Sequence, residues 1–342
     1  MLGGILTQYV FDKMTEQDHP TVDISHCMNH KQRKKVCTLC KTQCEANIYK
    51  RPGKVTDWNG CKDCNKCVVV CPSRAIASSK NTMTKLYQMI EQRGEKVWMS
   101  CTHNTQCESL KVPCLASIPW EFMAYLILQK QVILDVRSCQ NCHQEEAVES
   151  LKQQLMQVME VVGEACFSEH LILNLDEHEV EKVAYSRREL MGLFLKTSKK
   201  SVAKLVPDFL GKEQHASGLW YRMLLHNQMS CMEQTFTWQV PQLTDCCWGC
   251  GLCEKICPQG ALEWVKVDDT VSALNLHLLK CTQCGLCEAL CPEGGISGMT
   301  KVQVRNLMPA TLNTIEQSRC TKCGRPIPKG EATALCIACE GA

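Results

Sequence analysis

The 342-residue chain carries 28 cysteines, and they fall into repeated spacings. Cys247-x2-Cys250-x2-Cys253-x3-Cys257-Pro258 is followed by Cys281-x2-Cys284-x2-Cys287-x3-Cys291-Pro292. Cys61-x2-Cys64-x2-Cys67-x3-Cys71-Pro72 repeats the run, and Cys37-x2-Cys40-x3-Cys44 is a shortened copy ahead of it, with Lys34 at the opening position. Thiols this close suit a shared metal better than a long-range disulfide. Thiolates are soft ligands that select zinc or iron–sulfur clusters. Three of them two residues apart wrap a short loop around one corner of a cubane. Gly251 and Gly285 let the backbone approach the sulfides. Zinc also accepts four thiolates, but reciprocal runs of four with trailing prolines favour iron and sulfide.

The two C-terminal runs resemble the bacterial two-cluster ferredoxins over about fifty residues, and in that family the fourth cysteine of each run ligates the other cluster. The resemblance implies one [4Fe–4S] cluster on Cys247, Cys250, Cys253 and Cys291. It implies a second on Cys281, Cys284, Cys287 and Cys257. Cys246, just before the first ligand, reads as a spare buried thiol, with an alternate ligand as the other reading.

Carried to the N-terminal block, the same pattern completes one cluster with Cys61, Cys64, Cys67 and Cys44. Its partner has Cys37, Cys40 and Cys71 and needs a fourth ligand. Cys27 is the nearest cysteine, and His26 or His30 is the alternative, since His replaces Cys in some iron–sulfur sites. A three-iron cluster, or none, also stays open. The basic run Lys31, Arg33, Lys34 and Lys35 is either a solvated loop or a charge that stabilises a reduced cluster.

Between the two blocks, short apolar runs end in cysteine. Lys96–Ser100 leads to Cys101, Leu110–Pro113 to Cys114, and Val132–Val136 toward Cys139 and Cys142; His170–Leu175 is a fourth run. Helical patterns over Pro119–Lys130 and Glu145–Val162 lie between them. Short strands alternating with helices predict a parallel α/β sheet. Sites in such sheets form outside the carboxyl ends of the strands, which would gather Cys101, Cys114, Cys139 and Cys142, with Cys107 nearby. The strand–cysteine order looks like the delta subunit of methanogen hydrogenases, and that resemblance implies a [2Fe–2S] cluster here. Buried thiols, or a redox dithiol at Cys139-x2-Cys142, are the alternatives.

The tail reads Cys320-x2-Cys323-Gly324-x11-Cys336-x2-Cys339, a zinc-ribbon spacing. The stretch is similar to the zinc finger of the DksA/TraR family, with a shorter loop. Zn2+ would tie down a segment too small for its own core; rubredoxin-like iron is the runner-up.

The elements that must position these ligands divide as 1–30 N-terminal segment, 31–93 ferredoxin-like block, 94–180 small α/β domain, 181–240 basic helical segment, 241–310 two-cluster ferredoxin domain and 311–342 zinc ribbon. The expected fold is α+β and multidomain: two ferredoxin-like dicluster blocks, a central small parallel α/β domain and a C-terminal zinc ribbon. Ser186-Arg187-Arg188-Glu189 resembles a twin-arginine motif, but its mid-chain position favours an amphipathic helix. A net charge of +2 argues against nucleic-acid binding through bulk charge. No apolar stretch is long enough to span a bilayer, and no phosphate-binding glycine loop occurs. No acid–base or nucleophile constellation stands out, so catalysis would belong to a partner.

The reading is a cytoplasmic electron-transfer subunit with three to four [4Fe–4S] clusters, a [2Fe–2S] cluster in the central domain and Zn2+. It would sit in a hetero-oligomer with catalytic oxidoreductase subunits, with soluble ferredoxin as a further partner. A redox-sensing regulator with a zinc ribbon is the alternative. Metal analysis of anaerobically purified protein separates these expectations. Four cubanes correspond to about sixteen irons, a [2Fe–2S] cluster raises this to about eighteen, and a failed Cys27 assignment lowers four cubanes to about twelve. One zinc is expected in the ribbon, and little iron with several zincs would favour the regulator.

Overall fold

The computed structural model describes residues 19–174 and 220–340, apart from 31, 33–34, 56–57, 59, 62–63, 78–79, 103, 105–108, 140–141, 143–144, 269 and 328–334. Cys107, the basic positions Lys31, Arg33 and Lys34, and the Arg187–Arg188 motif lie outside the described residues. The chain divides into two compact units. The first comprises residues up to Ile24 with Lys35–Gln228, and the second comprises Ser25–Lys34 with Met229–Ala342.

The first unit opens with small elements around its cysteines. Strand β1 (Thr21–Val22) pairs antiparallel with β4 (Ile76–Ala77), and β2 (Tyr49–Arg51) forms a hairpin with β3 (Lys54–Val55). Helices α1 (Leu39–Thr42) and α2 (Lys66–Val69) are each a single turn. Cys40, Ile48, Tyr49, Val68 and Ile76 form their shared core.

The rest of the first unit is built on a four-stranded, wholly parallel sheet. Its strands are β5 (Lys96–Cys101), β6 (Leu110–Val112), β7 (Gln131–Asp135) and β8 (Leu171–Asn174), in the order β6-β5-β7-β8. The last four residues of β7 and all of β8 are buried. Strands covered on both faces read as continuous apolar runs, which is the pattern of this sequence. Helix α3 (Lys80–Glu91) precedes the sheet, and α4 (Trp120–Ile127) connects β6 to β7. Helix α5 (Glu145–Val162) and α6 (Glu164–His170) connect β7 to β8. Buried positions of α5, Ala147, Leu151, Leu155, Val158 and Val162, recur at helical spacing and seat one face on the core.

Helix α4 is buried over all eight residues, as expected of a helix apolar all round. Its one charge, Glu121, is fully enclosed. Arg222 of α7 (Trp220–Ser230) donates to it from Nε at 2.9 Å and Nη2 at 2.7 Å. Arg74 donates to the other oxygen at 3.1 Å. Burial by itself would raise the Glu121 carboxyl, but Arg74 and Arg222 outweigh it and hold it below the usual range. Tyr87, Phe122 and Trp220 pack edge-on and tilted beside the group. Lys130, also fully buried, donates to the carbonyls of Ile90 and Arg93 where α3 ends, supplying partners for carbonyls that the helix leaves open.

The second unit is antiparallel. Strand β9 (Phe236–Leu243) pairs with β12 (Ile296–Val304), and β10 (Leu262–Lys266), β11 (Val271–Leu276) and β13 (Ala310–Glu316) form a three-stranded sheet. Helices α8 (Leu252–Ile256) and α9 (Leu286–Ala289) are short. A last hairpin, β14 (Ser318–Arg319) with β15 (Pro326–Ile327), leads to α10 (Ile337–Glu340).

Two local expectations change. Residues 236–240 begin a strand rather than continuing a helix, because Phe236, Trp238 and Val240 alternate inward with period two. His170 closes α6 instead of opening β8.

Glu121→Ala would leave two arginines facing each other without their anion. The expected loss is about 3–5 kcal/mol, read as a lower urea midpoint of the first unit. Because the folded carboxyl titrates below its unfolded value, its contribution is complete at neutral pH and disappears as pH falls through the depressed pKa. The gap between wild type and variant should therefore narrow in acid.

Candidate metal and cluster sites

The four cysteine runs share one construction. The last cysteine but one of each sits at the second position of a short helix: Cys40 in α1, Cys67 in α2, Cys253 in α8 and Cys287 in α9. Three residues beyond the last cysteine the backbone turns left-handed, at Asn47 (φ 51°), Arg74 (φ 55°), Gly260 (φ 56°) and Gly294 (φ 63°). At each, the N–H donates to the carbonyl of that last cysteine, at 3.1, 3.1, 3.2 and 3.5 Å. Two residues later a strand begins, at Tyr49, Ile76, Leu262 and Ile296. The shortened first run therefore keeps the turn and strand of the complete ones. It differs after its Cys37, where Thr38 is not left-handed (φ −128°); the matching residues Asn65, Gly251 and Gly285 are at φ 55°, 76° and 71°.

This construction gathers the sulfurs. In the second unit, one cavity is lined by Cys247, Cys250, Cys253, Cys287 and Cys291. Another is lined by Cys257, Cys281, Cys284 and Cys287. Cys287 lines both; Cys291 joins the three cysteines of the other run in the first cavity, and Cys257 joins those of the other run in the second. Backbone N–H groups point at the sulfurs: Ala261 donates to Cys257 Sγ at 3.2 Å and Gly295 to Cys291 Sγ at 3.1 Å. In the first unit, Gly53 donates to Cys40 Sγ at 3.3 Å.

In the first unit, Cys44, Cys61, Cys64 and Cys67 line a cavity of about 360 Å³. Cys101, Cys114, Cys139 and Cys142 line the same cavity. The latter come from the carboxyl ends of β5, β6 and β7, where the strand order reverses direction across the sheet. That switch point is where open parallel sheets build sites. Asp135, buried at the end of β7, is held by Arg137 at 2.9 and 2.7 Å, which orients the turn carrying Cys139. Cys40 and Cys71 belong to one packed core, and Cys37 is half-buried. Cys27, His26 and His30 fall in the 25–34 segment of the second unit.

The donor sets fit iron–sulfur clusters. Burial pushes Cys67 and Cys287 up to about 12 and Cys253 up to about 11, and neighbouring cysteines add to the rise. Such thiols give up their protons when a metal supplies the balancing charge. Three buried donors that no other protein hydrogen bond satisfies sit beside these sulfurs: Tyr49 Oη at Cys67, Trp264 Nε1 at Cys253 and Thr282 Oγ1 at Cys284. Sequence reading missed all three; aromatic and hydroxyl residues near cysteines are too common to signal it.

Residues 246–295 match the family model of the 4Fe-4S dicluster domain. The matched segment contains both C-terminal runs, so the chain carries a ferredoxin-type iron–sulfur domain suited to [4Fe–4S] clusters and electron transfer. No curated protein matches the chain. Within the dicluster domain one expectation is corrected: Cys246 is exposed rather than buried. Its neighbour Cys247 turns into the cavity, and adjacent residues of an extended turn face opposite ways.

Cys320, Cys323, Cys336 and Cys339 place their sulfurs within 4.8 Å of one another and could hold a metal ion. Cys323 and Cys336 Sγ are 3.6 Å apart; tetrahedral zinc with bonds of about 2.3 Å spaces its sulfurs by roughly 3.8 Å. The Cys336 backbone N–H is the main group lowering the Cys320 thiol, to about 6. Gln317, just before this hairpin, donates to the Gly249 carbonyl at 2.9 Å and accepts from Ser272 and Arg319, both at 2.7 Å. Gly249 lies between Cys247 and Cys250, so Gln317 braces that loop. No described helix is long and apolar enough to cross a membrane.

Trp264→Phe removes the indole donor at Cys253 while keeping an aromatic ring. Hydrogen bonds to cluster sulfurs favour the reduced, more negative state. The expected effect is a fall of roughly 30–60 mV in the potential of that cluster, using 59 mV per tenfold for one electron. Redox titration followed by EPR reads it, and an unchanged potential would remove Trp264 from the tuning groups.

Proposed function

We propose that this chain is an iron–sulfur electron-transfer subunit. It relays single electrons through several [4Fe–4S] clusters within a multi-subunit cytoplasmic oxidoreductase of anaerobic metabolism. A hydrogenase, formate dehydrogenase or flavoprotein subunit supplies the catalysis, and a soluble ferredoxin exchanges electrons with it. The observation that carries this reading is the pair of cysteine-lined cavities in the dicluster domain, with backbone N–H groups of Ala261 and Gly295 donating to Cys257 and Cys291.

In this reading Cys247, Cys250, Cys253 and Cys291 hold one cluster, Cys257, Cys281, Cys284 and Cys287 the second, and Cys44, Cys61, Cys64 and Cys67 the third. The fourth site draws on Cys37, Cys40 and Cys71. Cys101, Cys114, Cys139 and Cys142 hold a further cluster of the [2Fe–2S] type. Cys320, Cys323, Cys336 and Cys339 hold structural zinc. A bound cluster supplies one-electron storage with little change of geometry. The protein's part is to exclude water and to fix the charge around the sulfurs.

The test is a redox titration of the anaerobic protein with dithionite. Reversible one-electron steps without substrate turnover are expected, and Cys253→Ala should abolish one [4Fe–4S] signal and about four irons per chain. Zinc in the dicluster domain in place of iron would overturn the reading.

A further inference from the structure

The cavity of the first unit is lined by two complete sets of four thiols that come from different parts of the chain. We propose that it is a two-cluster chamber. A cluster on Cys44, Cys61, Cys64 and Cys67 lies directly beside one on Cys101, Cys114, Cys139 and Cys142, and the two exchange an electron with no layer of protein between them. The inference rests on the electron-carrier reading above and adds a route that the dicluster domain does not contain.

Three observations carry it. First, the volume, about 360 Å³, lies within the roughly 300–1,000 Å³ of cofactor pockets. Second, the two sets enter the cavity from different elements. Cys67 lies on the single-turn helix α2, with Cys61 and Cys64 just ahead of it in the chain, whereas Cys101 closes β5 and Cys114, Cys139 and Cys142 follow the carboxyl ends of β6 and β7. Third, the walls are continuous. Helix α2, which carries Cys67, packs against Leu115–Ser117, the turn that begins right after Cys114, and against α5. Leu115, Ala116 and Leu151 close the chamber with apolar side chains.

Lys66 lines the chamber too, pairing with Glu45 at 2.7 Å. Glu45 lines the same cavity, so the pair presents a dipole with its cationic end buried rather than an uncompensated charge. The step is balanced with one electron: the reduced cluster of one set is oxidised as the cluster of the other is reduced, and no proton or bond is exchanged.

The experiment uses the full-length, cluster-loaded protein reduced with dithionite. Two paramagnetic clusters in one chamber broaden and split each other's EPR signals, and they relax faster than isolated ones. The unmutated protein should show this interaction, alongside the signals of the dicluster domain. Cys139→Ala should lose the iron of the central site and remove only the interaction that this site adds, leaving the couplings within the N-terminal block and the dicluster domain unchanged. Cys61→Ser should do the converse. Intact dicluster signals with no interaction in the unmutated protein, or with no change of iron or spectrum in either variant, would overturn the chamber and leave the electron-carrier reading standing. Absence of iron from every site would overturn both. Cys142→Ser is the second variant at the central site: loss of the same interaction there supports the chamber, and an unchanged interaction despite lost central iron overturns it.

Discussion

Turning three sulfurs of an eleven-residue run toward one point and the fourth toward the neighbouring site forces the backbone to reverse sharply, and the reversal here is always the left-handed residue three places after the last cysteine. Glycine or asparagine takes that conformation at small cost. Arginine does not, and at Arg74 the penalty is of order 1–2 kcal/mol. A charged, buried hydrogen bond contributes about 1.5–3 kcal/mol, so the pairing of Arg74 with Glu121 outweighs the strain. The same contact joins the cluster loop to the buried helix α4 and, through Arg222, to α7. A single carboxylate thus satisfies two guanidinium groups, keeps the Cys71 turn closed and seats it on the sheet domain.

The sheet domain works by a different rule. Its cysteines are too far apart in sequence for any local turn to collect them. Topology does so instead: β6 lies on one side of β5 and β7 on the other, and the loops leaving their carboxyl ends must diverge. Cys101, Cys114 and Cys139 stand at those exits. Parallel pairing in register, Met99 with Leu110 and with Leu134, brings the three strand ends level.

What could be read from the sequence follows this division. Local constructions were legible: the cysteine runs, helix Glu145–Val162 to the residue, and strands within about a residue of their bounds, since period and spacing report nearest-neighbour geometry. The convergence at the sheet's switch point was legible because a general rule of topology supplies it. Partnerships across long sequence separations were not. Glu121 stands as one charge in the apolar run WEFMAYLI, which signals a buried partner, yet nothing marks Arg222, 101 residues away, as that partner. Gln317 and Gly249 are joined across 68 residues with no signal at all. Sharing of one cavity by the Cys44 and Cys101 sets depends on how α2 packs, and side-chain packing leaves no spacing pattern.

Equal ligand sets do not make equal sites, because the surroundings differ in kind. The dicluster domain offers an indole at Cys253 and a hydroxyl at Cys284, while the N-terminal block offers a phenol at Cys67. Their donor strengths and stiffness differ, so each stabilises added charge on its sulfur to its own degree. Charge is distributed with the same asymmetry. Near Cys71 stands Arg74, whose positive charge Glu121 shares with Arg222. Near Cys139 stands Asp135, which opposes further negative charge, but its carboxylate is clamped by Arg137 at two points. The central site therefore faces a fixed dipole more than a bare anion, and a dipole's field fades with distance faster than that of a charge. Neighbouring sites in the same unit can then keep separate electrostatic settings, which a relay needs if electrons are to run through it in one direction.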